Sequence, residues 1–443
     1  MIKLPKDVEI IIQQLNQAGY AAYVVGGCVR DSLLGLEPED WDVCTSALPE
    51  ETKQVFSGFH IIETGIQHGT VTVRVNHQSY EVTTFRKDGD YKDFRHPETV
   101  EFVSELKDDL SRRDFTVNAM AYHPKTGVVD YFNGQKDLAS KTICCVGDAK
   151  TRFQEDALRI LRGLRFAARY GFSIESSTKN AMKECKELLS LIAKERISEE
   201  LKKLLLSDYP ETILLDYREI FAQFIPEFAT MFDMEQKNPH HQYDVWEHTV
   251  KSVACADKNL FVRLAVLFHD IGKPQTFSMD KEGIGHFYSH AKAGEALCET
   301  ILRRLKFDAK TIAYVKELVK YHDIQIEPTE KAVKKQLNKI GAEQFERLLL
   351  VKEADAKTTV NAEIKLKKIE AVRKLYQMVI EKDSCFTLKD LEISGNDLIS
   401  LGIPEGKQVG ATLLLLLEMV MENKLENKRE ILTRFVQKNL KNI

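Results

Sequence analysis

The sequence predicts an α+β fold, with a small mixed sheet near the N-terminus followed by a chain that is helical almost throughout. Three observations carry this. An apolar strand, Tyr23 to Val25, runs into the pair Gly26-Gly27. Three further short β-like runs follow at Phe59 to Glu63, Thr70 to Val75 and Tyr80 to Phe85. Beyond about residue 150 the apolar residues recur at helical rather than strand spacing. The 443 residues exceed what one core organises, so two to four domains are expected.

In chain order, Val8 to Ala22 repeats apolar residues at helical spacing and leads into the first strand. The sheet is expected to close within residues 1–140, and a helical region spans 141–238. Asn238-Pro239-His240-His241 marks a boundary, because the proline ends the preceding helix and histidines begin to accumulate. Segments 239–375 and 376–443 are the last two expected domains, with a helix ending near Lys382 to Cys385. At 43% hydrophobic and 29% charged residues the composition is that of a soluble globular protein. No apolar run of about twenty residues suits a membrane span, and charge interrupts the N-terminus before a signal core forms. The eight cysteines are scattered without a Cys-x-x-Cys pair, and Cys144 and Cys145 are adjacent. Free thiols and a cytoplasmic location are expected. The net charge of −4 calls for a compact, selective contact with any nucleic acid rather than a long basic groove.

The chemistry is densest between Tyr23 and Thr45. Gly26 and Gly27 have no side chains, so backbone N–H groups can approach an anion, and Arg30 follows one helical turn on. Asp40 and Asp42 are one residue apart; on a strand they would share a face, about 7 Å apart. Paired hard oxygen ligands suit Mg²⁺ bridging carboxylates and substrate phosphates. Glu81, on a later strand, is a candidate third carboxylate, unless strand alternation turns it to solvent.

Three further segments extend the pattern. Residues 83–97 read as a charged, Gly-containing connection after a strand. Asp109-Leu-Ser-Arg-Arg-Asp-Phe-Thr-Val-Asn-Ala-Met-Ala opens with Arg112, Arg113 and Asp114. Glu155-Asp156-Ala-Leu-Arg-Ile-Leu-Arg-Gly-Leu-Arg-Phe-Ala-Ala-Arg places arginines at 159, 162, 165 and 169, and the steps of three from 156 to 165 each lag by about 60° on a helix. Guanidinium groups suit phosphates and base edges. An acceptor such as Asp156 beside a donor such as Arg159 would accept cytosine and adenine, which present an amino donor next to a ring-nitrogen acceptor. It would reject uracil and guanine, whose edges place donor and acceptor the other way round.

Together these motifs resemble class II of the nucleotidyltransferase superfamily, the CCA-adding tRNA nucleotidyltransferases and bacterial poly(A) polymerases. The resemblance implies a nucleotidyltransferase head at 1–140 and a nucleotide-selecting helical neck at 141–238. It implies two Mg²⁺ ions on catalytic Asp40 and Asp42. CTP or ATP would be bound by Gly27, Arg30, Arg113, Asp156, Arg159, Arg162 and Arg165, with Asn118 holding the ribose or the motif geometry and Arg112 in support. The loop at 83–97 matches the family's flexible loop, implicated in the final A addition.

His248, His269-Asp270, His290, His322 and Asp355 form a second ordered series, similar to the ligand set of HD-domain metal-dependent phosphohydrolases. That similarity implies an all-α HD domain at 239–375 with a divalent metal of unspecified identity. Residues 393–412, with Lys407 at a helix start, resemble the C-terminal end of bacterial enzymes of this kind. They fit either a grip on a backbone phosphate or a packing element, in a helical, tRNA-contacting region at 376–443. The expected activity is template-independent addition of C, C and A to the tRNA 3′ end. CC-only or A-only addition, poly(A) synthesis, and an HD phosphohydrolase with an RNA-binding head stand as alternatives, and a second hydrolytic activity is compatible with the first.

Overall fold

The computed structural model describes residues 2–89, 100–239, 241–382 and 385–439. The chain forms two compact units, Met1–Ala229 and Thr230–Ile443. The expected boundary at 238 therefore falls nine residues earlier, and the expected head and neck lie within one unit. No break occurs at 375, because a single helix runs through it, Ala362–Glu381.

The first unit is built on a sheet of β1 (Ala22–Val25), β2 (Val43–Thr45), β3 (His60–Ile62), β4 (Thr70–Val75), β5 (Gln78–Thr84), β8 (Met120–His123) and β9 (Gly127–Asp130), with a small separate ladder of β6 (Arg86–Asp88) and β7 (Val100–Phe102). The order is β3-β4-β5-β2-β1-β8-β9. The β2–β5 pairing is parallel and the others antiparallel, so the mixed sheet read from the sequence is present. Val24 pairs with Val43 on one side and Tyr122 on the other, which makes β1 an interior strand. Its core position explains its composition: Ala22, Val24 and Val25 are fully buried. The helix Lys6–Gln17 buries Val8, Ile11, Ile12 and Leu15, the i, i+3, i+4, i+7 stripe of an amphipathic helix.

Helices Ala149–Glu155, Leu158–Tyr170, Ser176–Glu184 and Lys194–Leu205 complete this unit. A single helix through 155–169 is not what forms. Asp156 is extended (φ −140°, ψ 101°), and its side chain accepts a hydrogen bond from Leu158 N at 3.0 Å, starting a new helix. Gly163 lets that helix pack close: a Cβ there would lie 2.5 Å from Met182 Cε and 2.8 Å from Phe115 Cζ.

In the second unit, Val245–Cys255, Leu260–Phe268, His290–Arg304, Ala309–Tyr321 and Ala342–Ala356 pack around an apolar core; Leu264 to Phe268 are all fully buried. The helix Lys407–Met421 packs Leu416 and Leu417 against a satellite core with Leu398, Leu432 and Val436, while Leu414 and Leu415 stay exposed. Among the described residues no helix is long and apolar enough to cross a membrane.

Candidate functional sites

In the first unit the Gly-Gly turn follows β1. Gly26 adopts φ +84° and donates its N–H to Met120 O at 3.1 Å. A Cβ on Gly26 would lie 2.8 Å from Arg113 Nη1, so the missing side chain is what admits this arginine. Arg113 also reaches Asp109 Oδ2 at 3.7 Å, and its Nε is buried without a hydrogen-bond partner among the described residues. A guanidinium with a spare buried donor beside a glycine turn is equipped for an anion. Arg112 instead binds Asp109 Oδ1 through Nε (3.1 Å) and Nη2 (2.9 Å).

Asp40 and Asp42 do not lie within a strand. They immediately precede β2, and Asp42 O accepts Val25 N at 3.0 Å, which docks the pair onto β1. Burial pushes the Asp42 carboxyl up to about 6; Asp40 and Glu81 add to the rise, and only Arg113 opposes it. Glu81 thus belongs to the same electrostatic cluster, although its side chain is exposed. Three carboxylates facing one arginine leave negative charge that a divalent cation would neutralise, so the donor set fits hard-metal binding.

Arg30 is not poised over an open pocket. It is 4% exposed, its Nε donates to Asp31 Oδ1 at 2.8 Å, and its Nη1 donates to Asn118 Oδ1. Its guanidinium also lies 5.0 Å from the Phe166 ring and 4.9 Å from that of Tyr170, whose hydroxyl binds Asp31 at 2.8 Å. Asn118 continues the chain to Asp114 Oδ1 at 3.1 Å, and Asp114 Oδ2 accepts Arg162 Nε at 2.8 Å. Arg30 and Asn118 are therefore cross-braces between the turn and the helix Leu158–Tyr170.

The arginine stripe is divided. Arg165 is buried on Glu200 at 2.6 Å and stacked 4.1 Å from Phe166, so it is committed to the core. Arg162 keeps 36% of its side chain exposed while holding Asp114. Asp156 and Arg159 meet through the backbone, Arg159 N donating to Asp156 O at 3.0 Å, while their side chains bond other residues. Asp156 is gripped by Arg196, at 2.9 Å from Nη2 to Oδ2, and Arg159 bonds Glu155 and the carbonyls of Arg152 (3.0 Å) and Arg112 (3.1 Å). Arg196 and Glu200 had no signal in the sequence beyond a helical charge pattern. Within the loop at 83–97, residues 90–97 lie outside the described residues.

The second unit brings the whole histidine–aspartate series together. His248 Nε2 lies 3.0 Å from Asp355 Oδ1, 3.4 Å from His269 Nε2 and 3.7 Å from Asp270 Oδ2. On the other side of Asp270, Oδ1 is 3.6 Å from His290 Nε2 and 3.9 Å from His322 Nε2, and these two imidazoles face each other at 3.1 Å. Each ring is fixed from behind. The Nδ1 atoms of His269, His290 and His322 bond the carbonyls of Val266 (2.6 Å), Phe287 (2.8 Å) and Val319 (2.7 Å), and His248 Nδ1 pairs with Thr358 Oγ1 at 3.0 Å. A proton held on Nδ1 leaves the Nε2 lone pairs converging on one another, an arrangement suited to an N/O-ligated divalent metal. Asp270 Oδ2 is buried without a well-angled hydrogen bond, although Lys273 Nζ is 2.6 Å away. Burial works against charge on His269 but is outweighed by Asp270 and Asp355, which raise it, whereas burial and then His269 push His322 down to about 3. Lys273, Thr358 and His241 were missed in the sequence reading. The His241 ring abuts His248 edge-on at 5.5 Å, and its Nδ1 is buried without a hydrogen-bond partner among the described residues.

Comparison with known proteins places this geometry. The family profile for the poly A polymerase head domain matches residues 22–144, that for the RNA and SrmB-binding site of polymerase A matches 171–232, and that for tRNA nucleotidyltransferase domain 2 matches 275–436. The chain is 33% identical to a CCA-adding enzyme of Lactobacillus helveticus, covering 99% of both chains. It is 32% identical to one of Enterococcus faecalis, covering 98% of this chain and 96% of that one. The solved structure of the Bacillus stearothermophilus CCA-adding enzyme in complex with CTP superposes with a TM-score of 0.73 at 29% identity, over 99% of this chain and 98% of that chain. The chain belongs to the family of CCA-adding enzymes and is a tRNA nucleotidyltransferase.

Proposed function

We propose that the first unit adds C, C and A to the tRNA 3′ end from CTP and ATP at a site where Asp40 and Asp42, assisted by Glu81, hold two Mg²⁺ ions. The carboxylate cluster carries this reading: Asp42 is buried, raised to about 6, and faces Asp40 and Glu81 with Arg113 as its cationic neighbour. When bound, the ions would supply charge neutralisation at the attacking hydroxyl and the leaving pyrophosphate. The protein's part is positioning. Gly26 and Gly27 allow the phosphates to approach backbone N–H groups, and the spare Nε of Arg113 supplies a fixed donor beside them. Arg30, Asn118 and Asp114 tie this turn to the helix bearing Arg159 and Arg162. Asp156 and Arg159 present the acceptor and donor that accept C and A, with protein serving as template; Arg162 flanks them, and Arg165 supports the helix from within.

Full CCA addition is favoured over the partial variants and poly(A) synthesis by the relatives' names and by their full-length coverage. Purified chain with Mg²⁺ should extend tRNA lacking CCA, CTP alone should give two additions, and ATP alone should extend only tRNA ending in CC. Asp42→Ala should abolish extension while leaving the melting profile close to wild type. Normal extension by that variant would overturn the assignment. The absence of a membrane-crossing helix among the described residues and eight unbridged cysteines accord with work in the cytoplasm.

For the second unit we infer an HD-type centre in which His248, His269, Asp270, His290, His322 and Asp355 hold divalent metal and hydrolyse a phosphoester. The convergence of four Nε2 atoms on Asp270 and Asp355 supports it. His269→Ala should lower bound metal and phosphoesterase activity together, with tRNA extension unchanged; equal metal content in the variant would remove the reading.

A further inference from the structure

We propose that the stacked rings of His286 and Tyr288 form a base-stacking subsite at the rim of the histidine–aspartate centre, so that this centre selects nucleoside phosphates over phosphates lacking a base. The proposal rests on reading that centre as a metal-dependent phosphohydrolase. Tyr288 is 73% exposed, the most exposed large apolar side chain among the described residues. Its ring lies 5.3 Å from that of His286 with an interplanar angle of 11°, so the two rings are stacked with parallel faces.

This stack is held in place. His286 Nε2 lies 2.8 Å from Asp280 Oδ2, and Asp280 also accepts the N–H groups of Glu282 and Ile284 at 2.9 Å, shaping the hairpin Ser278–His286. The hairpin is buttressed in turn. Gly285 N donates to Lys237 O at 2.7 Å, and a Cβ on Gly285 would sit 2.3 Å from Gln236 O. Gln236 Oε1 accepts Lys273 Nζ at 2.7 Å, and Lys273 is the residue paired with Asp270.

The backbone between platform and centre is unusual. Ser289 adopts φ +64°, a left-handed conformation uncommon outside glycine, and the next residue, His290, begins a helix and turns inward to the cluster. One residue thus separates an outward ring from an inward imidazole. His286 and Tyr288 line the same cavity, about 330 Å³, as His269, Asp270, His290 and Asp355. Lys273 and Lys365 line it too, supplying cationic groups for a phosphate. An anion-binding floor with an aromatic rim matches a ligand that is charged at one end and flat at the other. Stacking accepts every base, because each offers a π face.

The experiment is equilibrium dialysis of the full chain loaded with Mn²⁺, in an Asp156→Ala, Arg159→Ala background that removes the base-reading pair of the first unit, against AMP and ribose 5-phosphate. The unmodified rim should bind AMP about tenfold tighter than ribose 5-phosphate. Tyr288→Ala should weaken AMP by about that factor and leave ribose 5-phosphate unchanged, and Tyr288→Phe should restore AMP binding. Equal affinities before mutation, or equal losses for both ligands in Tyr288→Ala, would overturn the subsite while leaving the metal centre intact. Failure to take up Mn²⁺ would overturn both readings together.

Discussion

Arg196 holds the carboxylate of Asp156 from a separate helix, with Nη2 at 2.9 Å from Oδ2 and Nη1 at 3.4 Å from Oδ1. The acceptor expected to read C and A is therefore oriented by a residue 40 positions away, and its rotation is restrained on both oxygens. Arg196→Ala should free that rotation and reduce the preference for CTP over UTP about tenfold or more, the scale of one charge-assisted hydrogen bond. Measured kcat/KM for the two nucleotides gives the ratio. Combined with Asp156→Ala, the second substitution should add little, since the two act through one carboxylate; full additivity would show that Arg196 works elsewhere.

Gly26 makes a different demand. Its φ of +84° and the 2.8 Å approach of Arg113 Nη1 both exclude a side chain. Gly26→Ala should cost about 1–3 kcal/mol of stability, because φ +84° with ψ −128° is a backbone conformation nearly confined to glycine. It should also lower tRNA extension about tenfold by displacing Arg113. Because the crowded atom ends a flexible side chain, the chain should still fold. A melting curve and an extension assay on the same preparation separate these effects, and wild-type turnover would mean that Arg113 needs no such approach.

Asp114 links acid stability to the same framework. Burial would raise its carboxyl, but Arg162 and Asn118 outweigh burial and hold it down at about 2, against an ordinary 3.8. A depressed carboxylate contributes stability above its unfolded value and loses it as pH falls through the folded one. The contribution here is on the order of 2 kcal/mol. Asp114→Asn should therefore be less stable than wild type at neutral pH, with the gap narrowing from about pH 4 down to about pH 2. Denaturant titrations across that range test it, and a gap independent of pH would assign the loss to packing.

Much of this site was legible before any coordinates because its chemistry is local in sequence. The Gly-Gly turn, Asp40 and Asp42, and the Arg112–Asp114 segment each carry their spacing within a few residues. The metal-type cluster was legible as an ordered series of side chains rather than by distance. What stayed hidden depends on long-range pairing. Arg30 and Arg165 read as free cations, and only tertiary structure supplies Asn118, Phe166 and Glu200 to enclose them. The helix expected through 155–169 failed for a local reason that propensity cannot weigh: Asp156 bonds forward to Leu158 N and interrupts the run. The pair Asp40 and Asp42 was placed on a strand, whereas the ladder begins one residue later, at Val43.

The cross-brace at Arg30 bears on how such enzymes can be recombined. A graft that joined residues 22–144, the span matching the head profile, to a foreign neck would leave this guanidinium without the two rings it lies against and Asp31 without the Tyr170 hydroxyl. The head is consequently not a portable cassette. Chimeras that exchange nucleotide preference should carry Phe166 and Tyr170 across with the turn they enclose, with the seam placed beyond Tyr170 rather than at the end of the sheet.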